Sequence, residues 1–207
     1  MQRKQLYKAN KLTRMKNFFL LLALVAGSFT LSAQDFADVD KSPLDAAYYP
    51  ARAAFRAFAK TPEEGAALEP KIRVLYSRPY KNDREVWGGK LAPYNEPYRL
   101  GANETAEIQF FTPVKIGDRV VPAGRYSFGA IPTAESWDVF FSLDLDGWGV
   151  YAYKPERNVA TITVPTAKTA ETLENFSIVL YEADSGMVHL KMGWDDTMVE
   201  VPIELLD

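Results

Sequence analysis

The chain has 207 residues, with 24 basic and 27 acidic side chains, one histidine and no cysteine. Without cysteine it has no disulfide, no thiol nucleophile and no thiolate metal site, and one histidine excludes a histidine-rich metal site. The acidic balance argues against nucleic acid or an anionic membrane as a partner.

Residues 1–33 have the composition of a secretory signal peptide. They contain six Lys or Arg residues and no Asp or Glu, and the apolar segment starts at Phe18 and is strongest up to Val25. A positive start, a short apolar segment and a small residue at the cleavage point are typical of export signals. We expect cleavage after Ala33, with an uncleaved anchor as the alternative and Met15 as a second possible start. The expected location is the periplasm or the cell exterior.

Cleavage would leave 174 of the 207 residues, which we interpret as a single domain over residues 34–207. Removing the six basic residues from 24 leaves 18 against 27 acidic residues, so the net charge of this domain is −9. A domain of this size buries roughly 70% of its unfolded surface, which is enough for a core without disulfides. We expect no membrane span in it.

The first part of this domain, residues 35–70, shows no clear period. Thr61 followed by Pro62 predicts the start of a short helix, with the Thr61 hydroxyl as the cap. The segment Ala51–Ala59 fits either a helix, because of its alanines, or an edge strand, because of its two phenylalanines.

After residue 70, apolar side chains alternate with polar ones along short segments. The apolar positions of these segments are Ile72, Val74 and Tyr76; Ile108 and Phe110; Val139, Phe141 and Leu143; Ala160, Ile162 and Val164; Phe176, Ile178 and Leu180; Val188, Leu190, Met192 and Trp194; Val199, Val201, Ile203 and Leu205. Alternation with period two predicts strands with one buried face and one wet face. The segment Trp148–Tyr153 also alternates, and we expect one of its faces to be core.

Turn residues separate these segments. The tightest hairpins are predicted at Gly117-Asp118 and Asp184-Ser185-Gly186, and a further turn is predicted at Asp195-Asp196. About nine or ten short strands without helical period between them predict an all-β fold, an antiparallel β-sandwich preceded by the signal helix. We prefer a sandwich to a closed sheet, because no feature of the sequence fixes closure.

The segment Tyr76–Glu104 is too irregular for one helix or strand and carries several spaced motifs. These are Tyr76-Ser77-Arg78-Pro79, Asp83-Arg84, Trp87-Gly88 and Tyr98-Arg99-Leu100-Gly101-Ala102-Asn103-Glu104, followed later by Pro122-Ala123-Gly124-Arg125-Tyr126 and Trp148-Gly149-Val150-Tyr151. With these motifs the chain resembles bacterial domain-of-unknown-function family 2911, which occurs mainly in Bacteroidota. The resemblance implies an exported, mostly β domain and no particular reaction. Family members usually have Gly in place of Asp83, and often Trp in place of Tyr98.

The candidate ligand-binding residues lie mainly in this segment. They are Arg78, Arg84, Trp87, Arg99, Asn103, Glu104 and Trp148. Guanidinium groups bind carboxylates, phosphates and vicinal hydroxyls, and exposed aromatic faces stack on sugars. The alternative is structural: the arginines would pair with neighbouring carboxylates and hold the loop in place. Gly101 or Asn103 is predicted to take a positive φ in a turn.

The sequence shows no catalytic set, so the enzyme question stays open with catalysis the less favoured answer. Glu104 with a second carboxylate such as Glu107 or Asp138 would be needed for acid catalysis. We expect no metal or cofactor, and His189 is expected to face solvent on a strand. Thr197, in Asp196-Thr197-Met198, is a weak candidate for O-glycosylation, with a simple turn as the alternative.

The predicted function is therefore a non-catalytic binding module for an envelope glycan or small anion. One alternative is a structural or assembly component of the cell envelope, which would bind an envelope protein through a strand edge. A second alternative is a carboxylate-dependent hydrolase.

Overall fold

The computed structural model describes residues 35–206, and most of their regular structure consists of ten strands. The strands are β1 (Leu44–Tyr49), β2 (Ile72–Ser77), β3 (Glu107–Phe110), β4 (Val114–Ile116), β5 (Arg119–Val121), β6 (Gly124–Pro132), β7 (Ser136–Ser142), β8 (Asn158–Pro165), β9 (Ala167–Glu182) and β10 (Val188–Leu205). The helices are α1 (Pro62–Ala67) and two 3-10 turns, Ala53–Phe58 and Pro155–Arg157. The predicted signal peptide lies outside the described residues.

The strands form two antiparallel sheets. One has six strands in the order β1-β2-β3-β6-β7-β8, and the other has four in the order β5-β4-β10-β9. Residues 40–206 belong to one compact unit, and residues 35–39 have no regular secondary structure. The prediction of an all-β antiparallel fold with about ten strands is confirmed. In residues 35–206 no helix has the length and apolar character needed to cross a membrane.

The core lies between the inner faces of the two sheets. Tyr76 of β2 packs edge-on against Phe176 of β9, with 5.8 Å between ring centroids, and the Tyr76 hydroxyl accepts a 3.1 Å hydrogen bond from the Ile178 amide. Burial raises the pKa of Tyr76, so the phenol stays neutral and can keep this bond. The alternating apolar residues predicted from the sequence supply most of this core.

The two predicted tight hairpins and the predicted helix cap occur as expected. Gly117, at φ 59°, connects β4 to β5, and Gly186, at φ 78°, lies in the hairpin between β9 and β10. The Thr61 hydroxyl accepts a 3.2 Å hydrogen bond from the Glu64 amide, and Pro62 is the first residue of α1. The ambiguous segment before it forms the 3-10 turn Ala53–Phe58 rather than a strand.

One strand was missed, and the predictions for two further segments are wrong. β1 was not predicted, because its alanines have weak strand preference and it is ordered by its pairing with β2. Asp195-Asp196 is not a turn: β10 continues to Leu205, and Asp195, at φ 58°, sits where the register with β9 shifts. Trp148–Tyr153 is not a strand but part of the β7–β8 loop, where Trp148 and Tyr151 are exposed.

A charged network lies on the outer face of the four-stranded sheet, around Glu200. The Tyr181 hydroxyl lies 2.5 Å, His189 Nδ1 2.9 Å and Lys191 Nζ 3.2 Å from the Glu200 carboxylate. Burial disfavours the ionised carboxylate, but the hydrogen bonds from these three side chains outweigh it and lower the pKa of Glu200 to about 2. We expected His189 to face solvent. It is instead half-buried and lies within hydrogen-bond distance of Glu200.

This network predicts an acid-dependent loss of stability. Because the pKa of Glu200 falls from 4.5 to about 2 on folding, its contribution is fully present above pH 4.5 and is lost as the pH falls towards 2. We expect this loss to be about 2 kcal/mol after allowance for partial exposure. Urea unfolding across this pH range should show a shallower decline for Glu200→Gln than for the native chain; parallel declines would contradict the assignment.

Candidate functional site

The long connection between β2 and β3, residues 78–106, is fixed to both sheets. Near its start, the Lys81 amide donates to the Glu174 carbonyl at 2.7 Å, so the loop covers part of the edge of β9. Further on, Tyr98 and Ala130 exchange two backbone hydrogen bonds of 2.7 and 2.9 Å, which continue the pairing of β3 with β6. The irregular segment is therefore ordered by backbone bonds at both ends.

Arg78 closes the seam between β1 and β9. Its Nε donates to the Phe176 carbonyl at 3.2 Å, Nη1 to Asp45 at 3.0 Å and Nη2 to the Ser177 hydroxyl at 2.9 Å. All three guanidinium nitrogens are thus engaged with the protein. Arg78 therefore holds the loop in place, which is the structural role that we considered as the alternative to ligand binding.

The other two candidate arginines are Arg84 and Arg99. Arg84 donates to the backbone carbonyls of Lys81 and Tyr80 at 2.8 and 2.5 Å, which stabilises its own turn. Arg99 is half-buried, and its Nε has no hydrogen-bond partner among residues 35–206. None of the three candidate arginines lines the groove that is formed where this loop meets the β7–β8 loop.

Trp87 is a core residue and cannot offer its face to a ligand at the surface. It is 7% exposed, its Nε1 donates to the Trp194 carbonyl at 2.9 Å, and its ring lies 4.3 Å from that of Trp137. Tyr98 packs edge-on against it at 5.7 Å and is itself buried. Tyr98 is therefore part of the same aromatic core as Trp87.

The two turn predictions for this loop are also borne out. Asn103 takes φ 60° and Gly101 φ 152°, where an added Cβ would lie 2.9 Å from the Ser77 carbonyl oxygen. Asp83 takes φ 56° on an exposed turn. Positive φ favours glycine, and aspartate is among the residues that tolerate it best.

A groove of about 690 Å³ lies where this loop meets the β7–β8 loop. Its lining residues are Asp40, Ser42, Leu44, Leu75, Tyr76, Ser77, Asn103, Glu104, Thr105, Glu107, Ser127, Leu145, Asp146, Gly147 and Trp148. Three sequence candidates, Asn103, Glu104 and Trp148, are therefore brought together. A concave site of roughly 300–1,000 Å³ is typical of small-molecule binding.

Neighbouring strands of the six-stranded sheet form the floor of the groove. Leu75, Glu107 and Ser127 are direct partners across β2, β3 and β6, in one row on the outer face. The rim is a short backbone ladder between the two loops: the Thr105 amide donates to the Gly147 carbonyl at 3.0 Å, and the Gly149 amide to the Asn103 carbonyl at 2.8 Å.

Carboxylates dominate the electrostatics of the groove. Asp40, Glu104, Glu107 and Asp146 line it, and among residues 35–206 no Lys or Arg does. Arg125 lies behind it and binds Glu107 at 3.1 Å and Asp146 at 2.9 Å. Asp40 and Glu104 form no ion pair within residues 35–206 and leave the groove with a negative excess.

Trp148 is the exposed aromatic residue of the groove. Its side chain is 61% exposed, whereas the other three tryptophans, Trp87, Trp137 and Trp194, are buried. Its backbone forms an isolated bridge with Glu104, so the ring is carried on an ordered segment. Its exposure is the feature of the groove best suited to stacking on a flat or ring-shaped ligand.

Sequence reasoning did not include Glu107, Ser127 and Asp146 among the ligand-binding candidates. Glu107 and Ser127 look like ordinary outward-facing strand positions, and their place in the groove depends on strand register. Asp146, at φ 59°, lies in the β7–β8 loop beside Gly147. The candidate Trp148 was the signal that pointed to this loop.

Other candidate sites are placed as follows. No group of three or more His, Asp or Glu side chains within residues 35–206 is arranged to hold a metal ion. Thr197 lies in β10 rather than in a turn, half-buried, with its hydroxyl 2.8 Å from the Asp196 carboxylate.

Comparison with known proteins gives one match. Residues 61–203 match the sequence profile of a family described as protein of unknown function, DUF2911. No curated protein and no solved structure matches the chain. The matched residues include most of the groove.

Proposed function

Because the chain belongs to the DUF2911 family of proteins of unknown function, we propose its function from the groove: a non-catalytic module that binds a neutral or positively charged glycan. The observation that carries this proposal is the exposed Trp148 ring at the edge of a concave, carboxylate-lined groove. Sugar rings present an apolar face and many hydroxyls, so an aromatic surface beside hydrogen-bond acceptors suits them.

The charge of the groove favours one of the two ligand classes expected from the sequence, the glycan. The groove is lined by four carboxylates, and the nearby Arg125 is already bound to two of them. A small anion would be repelled here, because like charges in a partly enclosed site interact unfavourably. The hydroxyls of a neutral sugar can donate hydrogen bonds to these carboxylates. The ammonium group of an amino sugar is attracted by their negative charge as well.

The proposed setting is outside the cytoplasm, in the cell envelope or beyond it. The support comes from the basic and apolar residues of segment 1–33. An envelope glycan is therefore the proposed partner.

The test compares three matched sugar series that differ in charge. N-acetylglucosamine oligomers are neutral, glucosamine oligomers are cationic and galacturonic acid oligomers are anionic. Binding should raise the melting temperature for the first or second series and not for the third. In calorimetry, Trp148→Ala should weaken binding at least about tenfold, or ~1.4 kcal/mol, through loss of stacking.

Tyr151→Ala is the matched control, because Tyr151 is 89% exposed in the same loop but does not line the groove. It should leave the affinity unchanged. Absence of binding to all three series, or equal affinity in Trp148→Ala, would refute the proposal.

The hydrolase alternative retains one supporting observation, namely that Glu104, Glu107 and Asp146 line the same groove. Glycosidases use two carboxylates on either side of the scissile bond. Incubation of the purified protein with each bound oligomer separates the two functions. Shortened products that disappear in Glu104→Gln would establish hydrolysis, and unchanged oligomers support binding alone.

A further inference from the structure

A second cleft of about 350 Å³ adjoins the groove. Four residues line both cavities: Thr105, Ser127, Leu145 and Gly147. The groove and this second cleft are therefore neighbours on either side of one chain segment, residues 145–149.

The dividing segment is firmly held. Its carbonyl at Gly147 accepts a hydrogen bond from the Thr105 amide, and the Thr105 hydroxyl donates to the Gly149 carbonyl. Because Thr105 also lines both cavities, one residue fixes the segment and belongs to both walls. Thr105 thus fixes the position of the two cavities relative to each other.

The second cleft differs from the groove in its charge. Its wall contains the ring of Tyr153, stacked on Phe140 at 4.1 Å. Its two charged residues, Asp144 and Arg157, form an ion pair at 2.6 Å, so they cancel. The cleft therefore offers an aromatic wall and a neutral surface, beside a groove with an aromatic edge and a negative excess.

We propose that the groove and the second cleft are two adjoining subsites for one linear oligosaccharide of at least two linked rings. This inference rests on the proposed glycan function. Each cavity has one aromatic lining residue that is not buried, Trp148 in the groove and Tyr153 in the cleft, and the shared residues make the cavities contiguous. A single sugar would occupy one cavity, whereas an oligomer gains contact in both.

The test measures affinity against chain length with the monomer to tetramer of N-acetylglucosamine and of glucosamine. Ala152 is exposed and lines the second cleft but not the groove, so Ala152→Trp should fill the cleft alone. Tyr151→Trp introduces the same residue at the neighbouring exposed position, which lines neither cavity, and serves as the control.

In the native chain and in Tyr151→Trp, the affinity should rise at least about tenfold from monomer to tetramer, or ~1.4 kcal/mol. Ala152→Trp should bind the monomer normally and lose this gain. Equal affinity for all lengths, or the full tenfold gain in Ala152→Trp, would overturn the subsite inference. In either case, monomer binding that depends on Trp148 would still uphold the proposed function. Absence of binding at every length in both sugar series would overturn the subsite inference and the proposed function alike.

Discussion

Trp87→Ala is expected to destabilise the domain by about 3–5 kcal/mol, the usual cost of truncating a buried tryptophan. The side chain is 7% exposed and lies between the rings of Tyr98, Trp137 and Trp194. Its removal also leaves the Trp194 carbonyl without its 2.9 Å hydrogen bond from the indole. Guanidinium unfolding, extrapolated to water, measures the loss.

The matched control is Trp148→Ala, the same substitution at the exposed tryptophan. Its free energy of unfolding should stay within about 0.5 kcal/mol of the native value. A small effect of Trp87→Ala would show that this ring is not part of the core. This comparison also matters for function, because lost binding in Trp87→Ala would follow from unfolding and would not identify a ligand contact.

Gly129→Ala is expected to cost about 3 kcal/mol, the upper part of the range for overpacking a core. A Cβ at this position in β6 would overlap the Phe140 ring and lie 2.7 Å from the Tyr98 carbonyl oxygen. Phe140 cannot move freely, because Tyr153 stacks on it at 4.1 Å. The Tyr98 carbonyl is held by its hydrogen bond from the Ala130 amide.

Gly65→Ala provides the control for Gly129→Ala. Gly65 lies in α1, where an added Cβ would make only an ordinary 3.8 Å contact with Ala59. This variant should be more stable than the native chain by roughly 0.5–1 kcal/mol, because alanine favours helix. If urea unfolding gave the two variants equal stability, the close approach of the loop to β6 would be wrong.

The candidate site was predictable only in part. Asn103 and Glu104 follow Gly101 in a turn that the sequence indicated, and Trp148 was included as an aromatic candidate; all three line or border the groove. Trp87 was included for the same reason as Trp148, but one is core and the other exposed. Residue type alone cannot separate them, since a tryptophan in an irregular segment suits either role.

The roles of the candidate arginines could not be predicted from residue type either. Arg78 and Arg84 have the chemistry of anion binding, yet their nitrogens bond to backbone carbonyls, Asp45 and Ser177. Those partners lie up to 99 positions away in the sequence. Whether a guanidinium is free for a ligand depends on such distant partners, which no local pattern reveals.

Local sequence was enough to predict the all-β class, most of the core, the tight hairpins and the helix cap at Thr61. These depend on local properties: period-two alternation, glycine at positive φ and a hydroxyl at a helix start. The groove, in contrast, depends on tertiary structure, because strand register places Leu75, Glu107 and Ser127 in one row. It also decided that Trp148 is exposed, because the loop around it pairs with Asn103 and Thr105 instead of forming a strand in a sheet.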